Sequence, residues 1–136
     1  MPSTIKTTFA AGLCLAGVLP LFAAPQKCPL AVETKQLIQT TPAGWTVLQT
    51  PAPSRLSWVA IFDGPPREEA SLKPDNGDTD EAPVWTLSPD NPRGYWLVCY
   101  YDDTSIALSK RLPGQVSNCR AVLDRYSALR EVECRP

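Results

Sequence analysis

YWLVCYY, at residues 95–101, and RLSWVAIF, at residues 55–62, are the stretches that decide the fold. Both are apolar at odd and at even positions, whereas a strand with one face in water alternates apolar and polar side chains. Strands covered on both faces have this composition. The two segments are therefore predicted to be central strands of a β sandwich or a barrel.

Further short strands with a period of two flank these segments. The candidates are residues 31–38, 45–48, 84–87, 105–112, 119–125 and 129–134. The 15 prolines of the 136-residue chain fall largely in the turns between them. Regularly spaced short strands with turn signals predict a mostly β fold. We expect one antiparallel sandwich or barrel-like domain of about seven or eight strands.

One short helix is expected in DGPPREEASLKP, residues 63–74. Pro65 and Pro66 suit the first turn of a helix, and Pro74 stops the run. The two glutamates of the segment would lie near the positive end of the helix dipole.

Residues 1–23 are expected to be a cleavable signal peptide. Lys6 precedes the apolar run FAAGLCLAGVL, which at 11 residues is shorter than the roughly 20 needed to span a bilayer. Small residues then lead to a cleavage position after Ala23. Residues 24–136 would form a single periplasmic domain with no stable membrane insertion. The alternative is an uncleaved membrane anchor.

Four cysteines remain after the signal peptide: Cys28, Cys99, Cys119 and Cys134. An even number in an exported chain predicts two disulfides, for which three pairings exist. The spacing favours a hairpin that places the last two cysteines opposite each other, which leaves the first two as the other pair. A zinc site is the alternative, but the sequence has neither C-x-x-C nor histidine. Neither a metal nor another cofactor is expected.

The composition restricts the chemistry. The chain has no histidine and a formal net charge of −1. An imidazole base and a histidine metal ligand are therefore excluded, and no basic surface for nucleic acid is expected. No nucleophile has a base at a suitable spacing, so no catalytic residue is assigned and the protein is not expected to be an enzyme.

Two groups of side chains are candidates for a binding surface. Residues 67–81 carry six acidic and two basic side chains, a net charge of −4. Aromatic residues around Arg93 can stack on a sugar or anchor a protein partner. The candidate binding residues are Glu68, Glu69, Asp75, Asp78, Asp80, Glu81, Trp85, Arg93, Tyr95, Trp96 and Tyr101. The alternatives are a solvated loop for the carboxylates and core packing for the rings.

The segments FDGPP at residues 62–66 and RGYWLVC at residues 93–99, with Leu112-Pro before Cys119, also carry a resemblance. From Cys28 to Cys134 the chain resembles an uncharacterised family of small exported proteins of Gram-negative bacteria, known by a locus tag. The resemblance implies export and paired cysteines, and it transfers no activity or ligand. Some relatives lie near type VI secretion genes, which implies an immunity or accessory role.

The expected function is therefore that of a periplasmic binding module, an inhibitor or immunity protein whose partner is a protein of the envelope. The first alternative is a carbohydrate or cell-envelope binder in which Trp85 or Trp96 stacks on a sugar. The second is a hydrolase that uses a pair of carboxylates.

Overall fold

The computed structural model describes residues 26–77 and 81–136. The expected signal peptide, residues 1–23, lies outside the described residues, as do the candidate binding residues Asp78 and Asp80. The extent of the exported domain, residues 24–136, stays a prediction.

Within the described residues, seven strands form two antiparallel sheets. The strands are β1 (Ala31–Val32), β2 (Ser54–Asp63), β3 (Val84–Thr86), β4 (Tyr95–Tyr101), β5 (Ala107–Arg111), β6 (Asn118–Leu123) and β7 (Leu129–Arg135). Sheet I has the order β1-β2-β4-β5, and sheet II has the order β3-β6-β7. The predicted mostly β, antiparallel fold is confirmed, and its form is a two-sheet sandwich.

β2 and β4 are the two central strands of sheet I, as the sequence predicts. Val59 lies opposite Cys99 and Ile61 opposite Leu97, and all four side chains are buried against the core. The alternate residues of both strands lie on the other side of the sheet, which we call the outer face. The outer face is covered less completely than the sequence predicts, because Trp58 is 51% exposed there.

Sheet II contains the hairpin that the cysteine spacing predicts. Cys119 lies opposite Cys134 in the β6–β7 register, and a disulfide joins them with their Cα atoms 4.1 Å apart. A second disulfide joins Cys28 to Cys99, with a Cα separation of 5.9 Å. Both predicted pairings are confirmed. The second bond ties the segment before β1 to the central strand β4.

Asp124 organises the turn between β6 and β7. Its carboxylate accepts hydrogen bonds from the backbone N–H of Tyr126 at 2.8 Å and of Ala128 at 3.0 Å. The Arg130 guanidinium donates to the same carboxylate at 2.9 Å. These hydrogen bonds, the one from Tyr126 first, favour the ionised form and lower the pKa of Asp124. Ser127 has a φ of 61° in this turn.

The core lies between the two sheets, and Trp85 of β3 is its largest fully buried side chain, with 2% of its surface exposed. Its indole N–H donates to the carbonyl oxygen of Leu72 at 3.1 Å, so the polar atom of the ring is satisfied inside the core. Ile61, from β2 of the facing sheet, and Val132, from β7 of sheet II, belong to the same buried cluster. A side chain buried in this way has a packing role.

Two predicted strands are wrong in extent. The strand expected at residues 31–38 ends at Val32, and residues 45–48 form no strand. The register pairs Val32 with Ser54, so a longer β1 would run against Pro53 and Pro51. Proline has no backbone N–H to continue the ladder, and the chain therefore leaves the sheet on both sides of this point. Residues 33–53 form a long connection that we call the arm.

The predicted helix is reduced to one turn of 3-10 helix, Pro66–Glu68. Glu69 follows with a left-handed φ of 56°, which ends the turn. The chain then runs back beside β2, where the N–H of Asp63 donates to Ala70 at 2.9 Å and that of Leu72 to Ile61 at 2.7 Å. These sheet-like hydrogen bonds replace a longer helix.

Candidate functional site

One end of sheet I, where β2 ends and β4 begins, holds several predicted site residues. The Arg93 guanidinium donates to the Glu68 carboxylate at 2.6 Å and lies 3.7 Å from that of Asp63. Nearly half of the Arg93 and Glu68 side chains remains in solvent, so the pair contributes at most about 1 kcal/mol. Part of the predicted negative charge is therefore neutralised within the protein.

Residues 68–81, which we call the acidic segment, continue from this end of sheet I along β3. The Asp75 carboxylate accepts a hydrogen bond from the backbone N–H of Thr86 at 2.7 Å. The Asn76 side chain donates to the carbonyl of Ala82 at 3.0 Å and accepts from the N–H of Val84 at 3.2 Å. These contacts hold the segment against sheet II. Glu69 and Glu81 are exposed beside it.

The predicted aromatic residues separate into two groups. Trp85 and Tyr101 are buried in the core, so neither ring faces a partner. The Tyr101 hydroxyl donates to the carbonyl oxygen of Pro29 at 3.0 Å, and burial raises the pKa of Tyr101. Tyr95 is half-buried, and its hydroxyl accepts a hydrogen bond from the N–H of Ser88 at 3.2 Å. Trp96 is half-buried on the outer face.

The exposed rings of the outer face are Trp58 and Tyr100. Tyr100 belongs to the aromatic run 95–101 that the sequence indicates as a contact surface, whereas Trp58 is not assigned to the site from the sequence. The register places the two rings directly opposite each other on β2 and β4. The exposure of Tyr100 can be predicted from its position next to Cys99 in the same strand. A disulfide-bonded cysteine points into the core, so its neighbours on the strand point outward. The direction of Trp58 is harder to predict, because regular alternation would put it on the same face as the buried Leu56. The register shifts between Leu56 and Trp58, and the sequence does not indicate this irregularity.

The arm was also missed as a candidate surface. Its large apolar side chains are exposed: Leu37, Ile38, Trp45, Val47 and Leu48. Leu48 reaches 90% exposure and Trp45 76%. Residues 34–38 and 47–54 form two limbs that line an open groove of about 650 Å³ together with Asp103.

The exposed apolar surface is concentrated on the arm and around the end of sheet I where β2 begins. In the part of the chain that the structure describes, eleven large apolar side chains are exposed. Five of them lie on the arm, and Leu30, Trp58, Tyr100, Ile106 and Leu108 lie in sheet I or directly next to its strands β1 and β5. The remaining one is Tyr126, in the turn of sheet II. Clustering of this kind marks an interaction surface.

The described residues, 26–77 and 81–136, contain no group of three or more histidine, cysteine or acidic side chains placed to hold a metal ion. They also contain no helix of the length and apolar character that crossing a membrane requires.

Taken with the paired disulfides, the two-sheet fold and the clustered apolar surface define a small protein-binding domain. The model of a protein family, described as type VI secretion system Tli immunity protein, matches residues 50–135. The chain belongs to this family, and it is a protein-binding immunity protein. The expected inhibitor or immunity role is thus confirmed, and the carbohydrate-binding alternative is not favoured. No curated protein and no solved structure matches the chain.

The family match covers the sandwich but not the whole arm. It includes β2 to β7 and both motif segments, FDGPP and RGYWLVC. It begins at residue 50, so most of the arm lies outside it.

Proposed function

We propose that the protein is exported to the periplasm and there neutralises a type VI secretion toxin by binding it. The signal-peptide pattern of residues 1–23 supports export. Two disulfides support an oxidising compartment, in which such bonds form and persist. Protection then depends on the stoichiometric occupation of the toxin and on no chemical step.

The observation that carries the contact surface is the exposed aromatic pair on the outer face. Trp58 lies directly opposite Tyr100, and Trp96 lies further along the same face of β4. Tyrosine and tryptophan side chains are over-represented among the residues that dominate protein interfaces. We assign these three rings to the toxin-binding surface.

The acidic segment, residues 68–81, is the second part of the proposed surface. Glu69 and Glu81 are exposed there. The sequence of the segment also contains Asp78 and Asp80. Charges at the rim of an interface act on the association rate more than on the contacts of the bound state. The acidic segment would steer a toxin with a basic surface.

The proposed function is tested by co-expression with the cognate toxin directed to the periplasm of a Gram-negative host. The full chain should restore growth, and a chain without residues 2–23 should not. With purified proteins, inhibition of the toxin should be complete at one equivalent. Failure of the full chain to protect would contradict the function, and inactivation by far less than one equivalent would contradict a binding mechanism.

The outer face is tested by the double substitution Trp58→Ser and Tyr100→Ser. We expect the toxin to dissociate at least about tenfold faster, because truncated interface anchors act mainly on dissociation. Tyr126→Ser is the control, since this ring is exposed but lies in the turn of sheet II. An unchanged dissociation rate in the double variant would remove the outer face from the proposed surface.

A further inference from the structure

The arm is an apolar projection of the sandwich, and we propose that it inserts into an apolar cleft of the toxin. This inference rests on the proposed function and names the element that would determine which toxin is bound. Five large apolar side chains lie within residues 37–48, and all five are exposed. Burial of these side chains in a partner removes apolar surface from water, which favours binding.

The arm is held in place at its base. The hydroxyl of Thr34 lies 3.2 Å from that of Ser54, within hydrogen-bond distance. The Gln36 side-chain amide donates to the carbonyl of Asp103, in the β4–β5 turn, and the Gln49 amide donates to the carbonyl of Gln36. A segment that is ordered before binding loses less conformational entropy in the complex.

The two limbs of the arm do not pair with each other, so most of their backbone N–H and carbonyl groups have no backbone hydrogen bond within the arm. One backbone hydrogen bond closes the tip, from the N–H of Trp45 to Pro42 at 3.2 Å, and the groove separates the limbs below it. Backbone N–H and carbonyl groups without partners in their own chain can pair with the polar groups or a strand edge of another protein. A protein cleft can therefore receive both the side chains and the backbone of the arm.

The same features argue against a lipid occupant. Residues 33–53 contain one acidic and one basic side chain, Glu33 and Lys35, so the arm has no net charge to attract anionic lipids. They form no helix, and unpaired backbone groups are costly in hydrocarbon. A protein partner is the occupant that fits.

The family boundary points to a role in specificity. The shared family region starts at residue 50, within the second limb, and Leu37, Ile38 and Trp45 lie before it. The sandwich would provide the common framework, and the arm would discriminate between toxins through contacts that only one of them accommodates.

The test compares Trp45→Ser and the double substitution Leu37→Ser and Leu48→Ser with Tyr126→Ser. Trp45 is 76% exposed and Tyr126 74%, so the control removes a ring of similar exposure at the opposite sheet. The probe is the purified toxin that the wild-type chain neutralises. We expect at least about tenfold weaker binding for each arm variant and a change within about twofold for the control. Unfolding midpoints should stay at the wild-type value.

Hydrogen exchange locates the contact independently of substitution. Amides of residues 36–49 should exchange more slowly when the toxin is bound. Wild-type affinity in both arm variants, or unchanged exchange in these amides, would overturn the role of the arm while the function stands. Absence of toxin binding by the wild-type chain would overturn the proposed function itself.

Two other occupants are tested without toxin. The wild-type chain should not sediment with vesicles of phosphatidylethanolamine and phosphatidylglycerol, and it should be monomeric in sedimentation equilibrium. Vesicle binding or a dimer that Trp45→Ser abolishes would overturn the proposal in favour of a lipid surface or a second copy of the chain.

Discussion

The backbone N–H of Gly64 donates a hydrogen bond to the carbonyl oxygen of Gly94, with the two atoms 2.9 Å apart. Gly64 belongs to FDGPP and Gly94 to RGYWLVC, so the two motifs meet at one end of sheet I. Both glycines have positive φ, 91° and 70°. The motifs therefore have a structural explanation: they fix the end of the β2–β4 pair.

Substitution of Gly64 by alanine should destabilise the fold. A left-handed conformation costs a residue with a Cβ atom about 1–2 kcal/mol. A Cβ atom at this position would also lie 2.8 Å from the Arg93 guanidinium and disturb its ion pair. Gly114→Ala is the matched control, because a Cβ atom there meets nothing within 4 Å. Urea denaturation of both variants measures the difference, and equal free energies of unfolding would contradict the assigned strain.

Charge reversal of the acidic segment should slow toxin association. Replacement of Asp78, Asp80 and Glu81 by lysine changes the charge of the proposed rim from negative to positive. At low ionic strength we expect the association rate to fall by about tenfold or more, and in high salt the difference should disappear because the charges are screened. Stopped-flow measurements at several salt concentrations give both rates. An on-rate that is unchanged at low salt would remove the acidic segment from the surface.

The two disulfides should differ in their contribution to stability. In the chain-entropy model, the bond that closes 15 residues between Cys119 and Cys134 contributes about 3 kcal/mol. The bond that spans 71 residues between Cys28 and Cys99 contributes about 4 kcal/mol. Paired alanine substitutions, compared by urea denaturation, test this order. A larger loss for the hairpin pair would show that native-state contacts outweigh loop entropy.

Acid should weaken the β6–β7 turn through Asp124. Its pKa in the folded protein is lowered by the N–H groups of Tyr126 and Ala128, so the ionised carboxylate stabilises the fold above the ordinary value of 3.8. This stabilisation is lost as the pH falls from that value through the lower, folded pKa. The melting temperature of the wild type should therefore fall more steeply than that of Asp124→Asn below about pH 4. Parallel curves for the two proteins would contradict the role of the carboxylate.

The sequence predicts the parts of the fold that depend on local pattern and covalent chemistry. The bounds of β4 agree with its apolar run, and the hairpin register agrees with the spacing of Cys119 and Cys134. The arm is different, since its residues have the alternation of strands and lack neighbours to pair with. Whether an alternating segment becomes a strand depends on a partner elsewhere in the chain, here interrupted by Pro51 and Pro53.

The candidate site is predictable only in part, because burial depends on which sheet face meets the other sheet. Composition identifies the aromatic residues, but it does not distinguish the buried Trp85 from the exposed Trp58. Their difference follows from position: Trp85 lies between the sheets, and Trp58 lies on the outer face. The acidic segment is predictable as a charge, but its contacts with Arg93 and β3 are not.

The Cys28–Cys99 disulfide spans the whole arm, with Cys28 before it and Cys99 beyond it. A protease that cuts any peptide bond of the arm therefore leaves two fragments that remain covalently joined, and the upstream fragment stays attached to the central strand of sheet I. Such a nicked chain would migrate as one species until it is reduced. The exposed arm can thus be cut without loss of either part of the sandwich.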